Sequence, residues 1–100
     1  MADGDVWLDD EYDFPDGTRV VLYAVENGAY PGGVNYCFAY VDPGTGRTLL
    51  RYDNSRVPRH GVGVHHRHRG GSVTRLAFDG LEEHLGRFWE EVSRIRADGT

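Results

Sequence analysis

The spacing of apolar residues changes period once along this chain, near residue 79, and that change decides the class of fold. Upstream, apolar side chains alternate in short runs. Residues 35–41 set Tyr36, Phe38 and Tyr40 against Cys37, Ala39 and Val41, a period of two that only an extended strand turns into two faces. Residues 18–25 are β-branched or apolar on both faces, the composition of an interior strand. Downstream, Leu81, Leu85, Phe88, Trp89, Val92 and Ile95 recur at helical spacing and form one wide apolar stripe. Strands first and a helix last predict an α+β fold: an antiparallel sheet of four or five strands, with one C-terminal helix packed on one face. Tyr36, Phe38 and Tyr40 are the predicted face beneath it.

Turn chemistry divides the upstream part. Residues 7–14 mix acids with Trp7, Leu8, Tyr12 and Phe14, as an edge strand with one wet face does. Pro15-Asp16-Gly17 turns the chain, because proline presets φ and glycine accepts a positive one. Residues 26–34 hold three glycines and a proline and read as a loop. Residues 42–46 turn the 35–41 strand back onto a strand at 47–53. Pro58 with Gly61, Gly63, Gly70 and Gly71 predicts irregular chain over 54–71, followed by a strand at 72–78. Asp79 is the expected helix N-cap with Glu82 as its capping-box partner, and Arg94 and Arg96 suit the C-terminal end of the dipole. One hundred residues suffice for a single domain, 1–100. The lone Cys37 excludes an internal disulfide framework and a Cys-rich zinc site, and reads as a small buried hydrophobe. A start without a basic or apolar run predicts no signal peptide, and no segment is apolar enough to span a bilayer. The expected protein is soluble and cytoplasmic, without membrane contact.

The net charge of −5 conceals a strong asymmetry. Residues 1–16 carry seven acids and no base, while residues 47–75 carry seven arginines against the single acid Asp53. One reading is an anion-facing patch for phosphate. The other is mutual neutralisation of acidic and basic segments in neighbouring strands. All eleven basic residues are arginine, which favours bidentate contacts to phosphate or carboxylate, although GC-rich coding gives the same composition.

Four of the five histidines fall between His60 and His68. Imidazole changes charge near neutral pH, so such a cluster suits proton transfer, phosphate binding or metal ligation. In extended chain His66 and His68 point to one side. As an H-x-H pair they are two ligands of a zinc-like divalent site that His60, His65, Asp53 or water would complete. Without metal, two histidines across a phosphodiester serve as general base and general acid, with Arg51, Arg67 or Arg69 holding the transition-state charge. A solvated basic loop and a non-catalytic nucleic-acid or protein docking surface are the plain alternatives. His84 reads as a surface or half-buried packing histidine. Phe88 and Trp89 read as core or, in a homodimer, as a subunit face.

Arg51-Tyr-Asp-Asn54, then Pro58 and His60, then His65-His-Arg-His68 resemble the TumE-type toxins of prokaryotic toxin–antitoxin pairs, whose pattern is an R-[YW]-D-N strand end followed by an H-H-x-H run. The order of short strands, an early x-D-G hairpin and a C-terminal helix also agrees. The spacer departs from the family pattern: Gly61-Val-Gly-Val64 stands where a more proline-rich and polar segment with another histidine is expected, which sets His60 apart from His65, His66 and His68. The resemblance implies a toxin with a cognate antitoxin and an RNA target. On that reading a His-rich loop cleaves RNA, with His66 and His68 as the acid–base pair and His65 orienting or binding. Asp53 holds a histidine tautomer, and Arg51, Arg67 and Arg69 contact phosphate. No cofactor is expected unless the metal alternative holds.

Overall fold

The computed structural model describes residues 4–30, 33–54 and 65–98. Six strands, β1 (Val6–Asp13), β2 (Arg19–Glu26), β3 (Val34–Asp42), β4 (Arg47–Asp53), β5 (His66–Arg69) and β6 (Ser72–Arg75), precede one helix, α1 (Leu81–Asp98). The strands pair antiparallel in sequence order, β1-β2-β3-β4-β5-β6. This is the α+β architecture read from the sequence, with six strands in place of four or five.

The additional strand is β5, inside the stretch expected to be irregular. Gly70 and Gly71, read there as strand breakers, instead join Arg69 to its register partner Ser72. Both have positive φ, 56° and 86°, as a type I′ turn requires of its two central residues. Two glycines therefore close a hairpin here. The strand at 72–78 correspondingly stops at Arg75. At the β1–β2 turn, Asp16 Oδ1 accepts from the Thr18 amide at 2.9 Å and the Thr18 hydroxyl at 2.6 Å. That is the local side-chain bonding for which aspartate is favoured in turns.

One sheet face is covered by α1. Val20, Leu22 and Ala24 of β2, Val34, Tyr36, Phe38 and Tyr40 of β3, and Leu50 and Tyr52 of β4 are buried against Phe88 and Val92 of the helix. The predicted face of Tyr36, Phe38 and Tyr40 is thus the buried one. The centre of the helical stripe lies on His84, Phe88 and Val92, while Leu81, Leu85, Trp89 and Ile95 pack at its margins. Trp89 sets its ring edge-to-face with Tyr12, centroids 5.3 Å apart. His84, expected at the surface or half-buried, is fully buried. The helix start is also displaced by one residue. The His84 amide bonds the Gly80 carbonyl, so Gly80 occupies the cap position and Asp79 stands outside it, 3.6 Å from Arg87.

The strand order rules out charge neutralisation between neighbouring strands. Acidic β1 and basic β5 are four strand spacings apart, roughly 19 Å. Near β1, Asp13 pairs with Arg19 and Asp16 with Arg96, both from outside the basic segment. Among the described residues no helix is long and apolar enough to cross a membrane.

Candidate functional site

The site is built where the end of β4 pairs with β5: Arg51 lies opposite His68, Tyr52 opposite Arg67 and Asp53 opposite His66. Strand alternation then sorts these residues between the two faces. Tyr52 and Arg67 point towards α1. Arg51, Asp53, His66 and His68 share the opposite face. Asn54 ends β4 in a structural role: its side-chain oxygen accepts from the Tyr36 amide at 3.0 Å and its amide donates to the Val34 carbonyl at 2.6 Å. Fully buried, it extends the β3–β4 pairing by one side-chain link and fixes where Asp53 stands.

Asp53 is the hub. Its Oδ1 lies 3.4 Å from His66 Nδ1, and its Oδ2 lies 3.5 Å from His68 Nε2 and 2.8 Å from Arg51 Nε. Arg51 Nη2 in turn reaches His68 Nε2 at 3.3 Å. These are close approaches more than well-aligned hydrogen bonds: Arg51 Nε, Asp53 Oδ1 and His66 Nε2 are buried without a directed partner among the described residues. Such groups are costly to leave unmatched and mark a place where a ligand or a reacting proton could complete the set. His66 is 3 % exposed and His68 26 %, so His68 is the more accessible imidazole. Burial, reinforced by the Arg51 charge and opposed by Asp53, lowers the His68 pKa, so this ring is neutral at pH 7.

One donor atom from each of Asp53, His66 and His68 falls within 4.8 Å of the others, so these three residues could hold a metal ion. Asp53 is the third group that the H-x-H pair needed. The guanidinium of Arg51, already against both Asp53 and His68, supplies a positive charge at the same place.

Two of the expected site residues are held on the other face. His65 Nδ1 lies 2.9 Å from the Tyr36 hydroxyl, whose other neighbour is His84 Nε2 at 2.8 Å. One hydroxyl has one proton, so one of the two rings must donate to it. His65 also stacks on Phe78 with ring centroids 4.5 Å apart, and burial, then the His66 charge, lowers its pKa. Arg67 is bound through its guanidinium to Glu91 of α1, which also accepts from the Tyr52 hydroxyl at 2.6 Å. Burial works to raise the Glu91 carboxyl, but the bonds from Arg67 and Tyr52 outweigh it and hold Glu91 below the ordinary range. Arg69 is exposed at the end of β5, and His60 lies outside the described residues. A shallow concavity along α1, lined by Arg87, Trp89 and Glu90 among others, includes none of the clustered residues, so chemistry rather than hollowness locates the site.

Sequence reasoning did not find Tyr36, His84 or Glu91 as partners of the histidine run. The available signal was position: His84 is four residues before Phe88 on the helix, and Glu91 adjoins Val92 on the same stripe.

A search of curated proteins and a search of solved structures each returned no match. The comparison with protein-family models matches the toxin TumE family over residues 2–96. That span contains every strand, the helix up to Arg96 and the Arg51–Asp53–His66–His68 cluster. A toxin of this kind implies a cognate antitoxin as its partner. The chain therefore belongs to the TumE toxin family and is the toxin component of a toxin–antitoxin system.

Proposed function

We propose that this toxin is a ribonuclease whose site is Arg51, Asp53, His66 and His68. The observation that carries the reading is a single carboxylate between two imidazoles with an arginine against it. In this scheme neutral His68 takes the proton of a ribose 2′-hydroxyl, and the 2′-oxygen attacks the adjacent phosphorus. Arg51 stabilises the charge that develops on the non-bridging oxygens. His66 gives a proton to the departing 5′-oxygen, leaving a 2′,3′-cyclic phosphate and a 5′-hydroxyl. Asp53 orients His66 through Nδ1 and stabilises the protonated ring, as a carboxylate does in other acid–base sites. Because Arg67 is engaged by Glu91 and Arg69 alternates onto the same face as Arg67, phosphate binding at the cluster falls to Arg51. His65 supports the strand from its other face.

The convergence of donor atoms favours a second reading, in which Asp53, His66 and His68 bind a divalent metal and the toxin is a metal-dependent hydrolase. Arg51 weighs against it, since a cation there would face a guanidinium already in place. Expression in a sensitive host distinguishes activity from docking. Wild type should arrest growth, and His66→Ala and His68→Ala should each relieve the arrest at equal protein levels. Metal analysis of purified protein separates the two chemistries: stoichiometric zinc, with melting lowered by chelator, would favour the metal reading. Full toxicity of both variants would reject the site.

A further inference from the structure

The face of the sheet turned away from α1 is apolar where an antiparallel sheet with one wet face should be polar. On β2 and β3 the residues alternating with the buried core are Val21, Tyr23, Val25, Cys37, Ala39 and Val41, with Arg19 and Asn35 the only polar side chains among them. Tyr23 is 41 % exposed and Val6, which pairs with Val25 from β1, 54 %. The register orders this face into bands. One row runs Asp9, Tyr23, Cys37, Asp53, His66, Arg75 and the next runs Glu11, Val21, Ala39, Arg51, His68, Val73. Across the sheet the face is therefore acidic, then apolar, then basic.

We propose that this face is self-complementary and that a second copy of the chain covers it. A two-fold axis between the sheets and parallel to the strands brings β1 of each copy over β6 of the other, acid on base and apolar band on apolar band. A two-fold axis across the strands would place acid on acid. Sheets packed face to face keep their strands within about 30° of each other, so the bands stay aligned. The interface is isologous, each patch being used twice, as a closed dimer requires. Tyr23 is the aromatic anchor, and Asp9 of one copy faces Arg75 of the other. The same face carries Arg51, Asp53, His66 and His68, so the dimer covers the site in both copies and dilution uncovers it.

Sedimentation of purified toxin across a concentration series tests this without any cleavage assay, and so independently of the ribonuclease reading. The wild type should associate to twice the monomer mass, and more weakly as salt rises. Asp9→Arg and Arg75→Asp, each confirmed as folded by circular dichroism, should raise the dissociation constant at least roughly tenfold through like-charge contact. An equimolar mixture of the two should recover a heterodimer, because in it one Asp9–Arg75 contact is intact and the other merely reversed. A wild type that stays monomeric at high concentration would overturn the proposal. So would single variants that dimerise as well as wild type, or a mixture that fails to associate.

Discussion

His84 shows what one buried side chain can demand of its surroundings. It is fully buried, with Nε2 met by the Tyr36 hydroxyl and Nδ1 without a partner among the described residues. Burial, then the Arg87 and His65 charges, push its pKa down to about 4 against the opposing pull of Asp79. An unfolded chain protonates this ring near pH 6.5, so between that value and about 4 the unfolded state binds more protons than the folded one. Its contribution is therefore complete above pH 6.5 and is lost as pH falls towards 4. The loss is at most about 3 kcal/mol at roughly 1.4 kcal/mol per unit. Burial lowers the His65 pKa as well, and its shift acts in the same direction. Urea midpoints of wild type and His84→Gln at pH 7.5, 5.5 and 4.5 isolate the effect: the variant should lose most of the acid-side decline. An identical decline in both would remove His84 as its cause.

At the scale of elements, β5 is a four-residue strand used on both faces. Together with His65 just before it, its odd residues tie to the sheet and helix, His65 through Tyr36 to His84 and Arg67 to Glu91. Its even residues His66 and His68 meet Asp53. Glu91→Ala should cost about 1–3 kcal/mol, less than a fully buried pair because Arg67 keeps partial contact with water. It should also raise amide exchange in β5 above that in β3. Unchanged β5 exchange would mean that the helix does not position the strand. The sequence shows β3 plainly because aromatic side chains alternate with small ones, and β4 because Leu50 and Tyr52 alternate with Arg51 and Asp53. It hides β5 because His-Arg-His-Arg is polar on both faces and has no apolar period to read. Gly70-Gly71 was the legible cue, a two-residue turn signature between polar strands. The Asp53–His66–His68 grouping was half legible: the H-x-H spacing implies a shared side, but only the β4–β5 register brings Asp53 to it. The same alternation turns His65 and Arg67 towards α1, which the H-x-H spacing by itself does not reveal.

For the molecule as a whole, one helix seals one face of a six-strand meander, and the seal is centred on Phe88. Phe88→Ala should cost about 3–5 kcal/mol in denaturant. Trp89→Ala should cost less, since Trp89 packs at the margin on Tyr12; equal losses would place the core elsewhere. The opposite face carries the Arg51–Asp53–His66–His68 cluster beside an apolar floor, with Asp9, Glu11 and Asp13 at the far edge, so an anion approaching the cluster meets the Arg51 guanidinium away from those three acids. The most direct test of that arrangement is cleavage of an end-labelled RNA by purified toxin in excess chelator, wild type beside His68→Ala. The account predicts cleavage by wild type leaving 2′,3′-cyclic phosphate ends, and a rate lower by roughly 10²–10⁴-fold in the folded variant. A folded His68→Ala protein that cleaves as fast as wild type would contradict it.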